Sequence, residues 1–194
     1  PNVSAEKLED CADSLFAQIL TANRVFTLNG SRSECEWGTD PDGPEGLLGF
    51  DNLPKLKTGP NVPYVANSND SYWLSNPDSL LEGFSPLIGN EGVEQSLRTR
   101  QAFVQAEERI AGTDELDSTP GFTIDWVQEM LYGNRNIAEE LTRDDVLTIC
   151  QDVSDWGPYS DNPTEAAAAC DILETWDGRF DTESVGSTIW NEFW

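Results

Sequence analysis

The sequence predicts a mainly α-helical chain with a long irregular loop region and little strand. Three observations carry that reading. Capping residues followed by apolar positions at helical spacing recur from residue 94 to residue 194. From Asn29 to Pro63 the composition shifts to Gly, Pro, Asp and Asn, with no clear period. One short run, Pro63-Tyr64-Val65-Ala66, is apolar and β-compatible, but it leads directly into Asn67-Ser68-Asn69-Asp70-Ser71, which cannot continue a buried strand. The chain therefore divides into residues 1–93, with a helix, a long loop and a polar strand-to-loop motif, and residues 94–194, a helical subdomain.

In chain order, Ser4 is placed to cap a first helix whose apolar contacts are Leu8, Leu15, Phe16 and Ile19. The following excursion is anchored by Cys35 and Trp37. Its Asp40-Pro41-Asp42-Gly43 lacks EF-hand spacing and reads as a plain turn. Residues 73–89 are irregular but rich in Leu and Phe, so they must lie against something. Over 94–111 a broad stripe forms from Leu97, Gln101, Phe103, Val104, Ala106, Ile110 and Ala111. Thr123 caps a short helix presenting Val127, Met130 and Leu131. Thr142-Arg143-Asp144-Asp145 resembles a capping box before Val146, Ile149 and Val153. Asn162-Pro163-Thr164-Glu165 is a stronger start signal, for a helix carrying Ala166, Ala169, Leu173 and Trp176. The last helix, Val185 to Trp194, ends on Ile189, Trp190, Phe193 and Trp194. So much apolar surface at a chain end predicts that the natural protein continues and covers it.

Composition narrows the function. The net charge is −25, with lysine only at Lys7, Lys55 and Lys57, which excludes nucleic acid and anionic membrane surfaces as partners. No apolar run approaches the roughly 20 residues that span a bilayer. No histidine occurs, so Ser-His-Asp and Cys-His catalysis and His-containing metal sites cannot be built from this chain alone. No metal and no cofactor are expected. The start at Pro1, without Met or a leader, is the mark of processing or of a cloning boundary.

Cys11, Cys35, Cys150 and Cys170 lack CxxC spacing and allow three pairings, or four buried thiols. The local pairing, Cys11 with Cys35 and Cys150 with Cys170, closes two short loops worth about 3 kcal/mol each. Disulfides are the preferred reading, and with them an oxidising compartment.

Polar groups converge at one place, the segment that follows Ala66. An Asn amide has no titratable charge and is neither nucleophile nor base. Held rigidly, it stabilises an oxyanion. By residue chemistry alone an Asn/Ser/Asp cluster is first of all a turn, shaped here by Asn67, Asp70 and Ser71. The pairs Glu107/Glu108, Glu139/Glu140 and Asp144/Asp145 read as solvated helix surface, because neighbours on a helix do not face each other.

The run Tyr64-Val65-Ala66-Asn67-Ser68-Asn69-Asp70-Ser71-Tyr72-Trp73-Leu74-Ser75-Asn76-Pro77, followed by Glu82-Gly83-Phe84-Ser85-Pro86-Leu87 and Arg98-Thr99-Arg100, resembles the β-chain of penicillin acylase-type N-terminal-nucleophile amidohydrolases, particularly those of the acyl-homoserine lactone and aculeacin type. Thr175-Trp176-Asp177-Gly178-Arg179 and the Trp190-to-Trp194 end are similar to this family too, so the resemblance covers essentially the whole chain.

The resemblance implies that the chain is an internal β-chain segment of an αββα hydrolase whose strands lie mostly elsewhere. A serine at the N-terminus of the β-chain attacks the amide of an N-acylated substrate in that family, with the free α-amino group as base. The oxyanion is held by a backbone N–H and by the second Asn of the motif, which puts that role on Asn69. Arg98 matches an arginine that holds this Asn from behind. Trp73 and Phe84 are candidates for the acyl pocket, with core packing as the alternative. The cysteine positions also match, which favours the local pairing and a periplasmic or secreted setting.

Neither the nucleophilic Ser nor the family's His near it is present here. The chain is thus expected to contribute an oxyanion donor and to depend on the rest of the acylase for turnover of an N-acyl small molecule. A self-standing secreted binding module, acidic and Trp-rich, is the competing reading, and it predicts aromatics grouped on the outside.

Overall fold

The computed structural model describes residues 3–23, 25–44, 47–150 and 162–194. Among the described residues it is mainly helical with no named strand, and its β contacts include the isolated bridges of Gly59 with Val62 and Arg135 with Arg179. None of the described helices is long and apolar enough to cross a membrane. The chain forms two compact units, Pro1–Gln95 and Ser96–Trp194.

In the first unit the expected single helix is two, α1 (Ala5–Cys11) and α2 (Leu15–Ala22). Ser4 caps α1 by accepting from the Lys7 N–H at 3.1 Å. Ser14 then caps α2 by accepting from the Ala17 N–H at 3.0 Å, and this second start signal breaks the run. As a consequence Leu8 is buried, whereas Leu15, Phe16 and Ile19 stay exposed. The Cys11–Cys35 disulfide ties α1 to the loop region, and both cysteines are buried. Asp40 makes the expected turn: its carboxylate accepts from the N–H groups of Asp42 and Gly49 and from the Asn52 side chain. Residues 63–66 are not in a strand, because no strand among the described residues pairs with them.

Among its described residues the second unit has five helices. α3 (Leu97–Ala111) is capped by Ser96 and ends at Gly112, whose φ of 68° is the left-handed conformation glycine adopts without strain. Its deepest residues are Thr99, Phe103 and Arg109, a narrower set than the apolar stripe implied. Thr123 caps α4 (Ile124–Tyr132) as expected. However, α4 turns Trp126 and Met130 inward and leaves Val127 and Leu131 exposed. The Arg109 guanidinium stacks on the Trp126 ring, 4.5 Å from its centroid, and this sets the rotation.

α5 (Ile137–Cys150) starts five residues before the Thr142 capping box. Asn136 is the cap, its side chain accepting from the Ala138 and Glu139 N–H groups. Thr142 is inside the helix, its hydroxyl donating to the Ala138 carbonyl at 2.7 Å. α6 (Pro163–Thr175) begins with Pro at its first turn as the sequence predicts. Cys150 and Cys170 form the second disulfide, which staples α5 to α6. Val153, expected on the face of the first of these helices, lies outside the described residues.

α7 (Ser187–Phe193) closes the unit. The core gathers Ala138, Val146, Leu173, Trp176 and Trp190. Trp190 is 2% exposed, with ring centroids of Trp176, Phe193 and Trp194 at 5.5, 5.8 and 6.0 Å. Phe193 and Trp194 remain more than half exposed. We expect Trp190→Ala to cost about 3–5 kcal/mol of unfolding free energy, read as a lower urea midpoint.

The expected solvated carboxylates are partly internal. Glu139 is 6% exposed and pairs with Arg143 at 2.8 Å. Arg143 also donates to the carbonyls of Leu173, Glu174 and Trp176, neutralising the orphan acceptors at the end of α6. Arg135 binds Glu140 through two bonds of 2.8 Å and Glu108 at 2.7 Å. The Glu139–Arg143 pair has the i,i+4 spacing of one helix, but spacing gave no sign of the bonds of Arg135, which comes from the loop before α5 and reaches Glu108 on α3.

Candidate functional site

The polar motif is a closed loop on the first unit. At its neck the Ala66 N–H donates to the Ser75 carbonyl at 2.9 Å, and the Asn76 side chain donates to the Tyr64 carbonyl at 2.9 Å. Inside the loop the Asn67 side-chain oxygen accepts from the Asn69 N–H at 2.8 Å, the local bond that an Asn turn makes. Asn69 itself has φ of 66°, and with Asn134 it is one of two non-glycine residues at positive φ among those described. Asn tolerates this left-handed conformation better than most residues, yet it remains uncommon. The side chain at the loop's apex is exposed. Asn69 thus offers a neutral amide donor on a backbone held in one uncommon conformation.

Residues 72–74 form a 3-10 turn that leads out of the apex. Trp73 is half-buried, its carbonyl accepting from the Leu81 N–H at 3.0 Å, and its indole N–H is enclosed without a hydrogen bond. Phe84 is half-buried edge-on against Tyr72, with centroids 5.7 Å apart. Ser71 donates from its hydroxyl to the Asn90 carbonyl. Gly89 passes so close that a Cβ there would meet the Ser71 hydroxyl oxygen at 2.8 Å. Asn69, Trp73 and Phe84 therefore all belong to the first unit. Arg98 is exposed in the first turn of α3, in the second.

Sequence reasoning missed two residues that hold this region. Asn76 is 1% exposed, and its side-chain oxygen also accepts from the Asp78 N–H at 2.9 Å. Glu91 accepts from the Tyr72 hydroxyl at 2.7 Å and from the Gly83 and Phe84 N–H groups at 2.9 Å, clasping the 83–91 loop to the motif. Partial burial pushes the Glu91 carboxyl up, but these three donors outweigh it and hold the group below the usual carboxylate range. Burial, then the bond to Glu91, raises the Tyr72 phenol above its ordinary value. Glu91 occupies no recognisable motif position, and only loop closure brings it to Tyr72.

Because the Glu91 pKa is depressed on folding, its stabilisation is full above its unfolded pKa and is lost as pH falls through the folded one. We expect the melting temperature to fall from about pH 5 downward, and Glu91→Gln to weaken that fall. The variant will be less stable than the parent at neutral pH and will converge on it as pH falls through the folded pKa of Glu91. Equal pH slopes for both proteins would show that the clasp contributes nothing.

Two hollows lie elsewhere. One of about 460 Å³ borders α1, α2 and Pro86, and one of about 400 Å³ in the second unit is lined by Glu108, Glu115, Glu139, Arg135 and Arg179 among others. Neither is lined by Asn69, Trp73, Phe84 or Arg98.

Comparison with known proteins follows the same motif. The chain is 37% identical over its full length to aculeacin-A acylase of Actinoplanes utahensis, covering 24% of that protein. It is 32% identical over 95% of its length to the acyl-homoserine lactone acylase PvdQ of Pseudomonas syringae pv. tomato and to that of Pseudomonas fluorescens, covering 21% of each. It thus spans about a quarter or less of the length of these curated relatives. The family model for penicillin amidase matches residues 12–194, and the chain belongs to that family.

Proposed function

We propose that this chain is the part of a secreted or periplasmic acylase that supplies the oxyanion-hole side chain, Asn69, for cleavage of the amide bond of an N-acyl small molecule. The observation that carries the reading is the geometry of Asn69. A neutral amide donor stands at the apex of a closed loop, on backbone at φ of 66°, in the motif that resembles the family's signature. The nucleophilic serine and its α-amino base come from the remainder of the acylase, the chain's principal partner. By the family resemblance Arg98 has a supporting role, and Trp73 and Phe84 contribute to the acyl side of the pocket. Two disulfides support an oxidising compartment.

The competing reading, a self-standing binding module, needs aromatics grouped on an outer face. In the second unit Trp176 and Trp190 form the core instead. The test is an acylase assay on the purified chain alone and on the full-length protein, with N-acyl-homoserine lactones and β-lactam amides. The full-length protein releases acid and amine, and the chain alone releases neither. Turnover by the rigorously purified chain would overturn the reading.

A further inference from the structure

We propose that Asn76 is a positioning residue for the oxyanion hole, acting through Asn69; this rests on the role given to Asn69 above. Asn76 is 1% exposed, among the most deeply buried side chains of the described residues. A buried amide is costly unless each polar atom is matched. Here the Nδ2 donates to the Tyr64 carbonyl, twelve residues back, and the Oδ1 accepts from the Asp78 N–H. The backbone carbonyl accepts from the Ser79 N–H at 3.1 Å. One side chain therefore joins the strand-like entry of the loop to the turn that leaves it.

The neck also holds the backbone bond from Ala66 to Ser75. From Tyr64 only five residues lead to Asn69, and the Asn67–Asn69 bond leaves the apex little independent freedom. A shift at the neck is thus passed to the Asn69 amide. An oxyanion donor works within a few tenths of an ångström of its place, so the shift reaches the barrier and not the binding of substrate.

The test uses the full-length acylase. Asn76→Asp has the same shape and keeps the acceptor for the Asp78 N–H, but it loses the donor to Tyr64. Asn76→Ser, smaller and neutral, serves if the buried carboxylate prevents folding. Active sites are counted with a covalent acylating probe, so that kcat refers to folded enzyme only. We expect kcat to fall about 10- to 100-fold with KM changed less than about threefold. In an Asn69→Gly background the same substitution will cost less than about twofold, because the group it positions is gone.

An unchanged kcat in titrated Asn76 variants, with Asn69→Gly impaired, overturns the proposal and leaves the role of Asn69 standing. Equal losses in both backgrounds overturn it as well, since a residue that merely supports the fold gives that result. If Asn69→Gly itself leaves kcat unchanged, the role of Asn69 falls and this proposal with it.

Discussion

Removing the Asn69 amide from the full-length acylase is expected to lower kcat on the order of 10²–10³-fold, about 3–4 kcal/mol in the barrier. In the proposed role the amide meets charge that exists only in the tetrahedral intermediate. The loss therefore falls on kcat and on kcat/KM alike, with KM nearly unchanged. The backbone conformation separates the chemical effect from a folding effect. At φ of 66° alanine is strained and glycine is not. Asn69→Ala and Asn69→Gly should therefore lose equal activity, while only the alanine variant also loses about 1 kcal/mol of stability. Steady-state kinetics and thermal melts on both variants check this. Full activity in the glycine variant would remove Asn69 from the mechanism.

Arg109 is expected to give the largest loss of stability. It is a charged side chain with no exposed surface, held at 2.7 Å by Asp114 and donating to the carbonyls of Asp117 and Thr119 at 2.6 and 2.5 Å. It also stacks on Trp126. The segment after α3 is wrapped around this guanidinium, and the Gly121 N–H returns to the Arg109 carbonyl. In Arg109→Met the stem keeps its packing, but Asp114, whose side chain is 6% exposed, becomes a buried carboxylate without its countercharge, left with the 3.3 Å bond from the Leu116 N–H. That situation typically costs 3–5 kcal/mol, so the estimate here is about 4 kcal/mol. Chemical denaturation should show the lower midpoint, and Arg109→Met/Asp114→Asn should recover part of it, because the second change removes the stranded charge. A single variant within about 1 kcal/mol of the parent would mean that water reaches the guanidinium site and replaces its bonds.

Legibility in the sequence followed the range of the interactions. Ser4 and Thr123 are readable because a cap bonds within three residues of itself, and the Asn162-Pro163 start because Pro suits the first turn, although Asn162 makes no side-chain cap bond. Ser14 obeys the same rule, and its signal lay unused inside an apolar run that read as one helix. Thr142 fails because a capping pattern inside a longer helix has no free N–H to accept, and its hydroxyl turns back to Ala138. The two disulfides were one of three pairings by counting, and the structure forms the local one. The turn at Asn67 to Ser71 was legible, since Asn closes it with its own side chain.

The sequence by itself determined the helical class, most of the caps, the turn chemistry of the motif and the family, all of which are written in residues close together along the chain. The tertiary structure alone decided which polar groups are internal. Arg109, Arg143, Asn76 and Glu91 look like surface residues by type. Each is drawn inside or half inside because folding leaves carbonyls and N–H groups at helix ends and loop necks without water, and a long or forked polar side chain satisfies several of them at once. The partners Tyr64, Phe84, Asp117 and Trp176 lie from seven to 33 residues away, a range over which no local pattern gives warning.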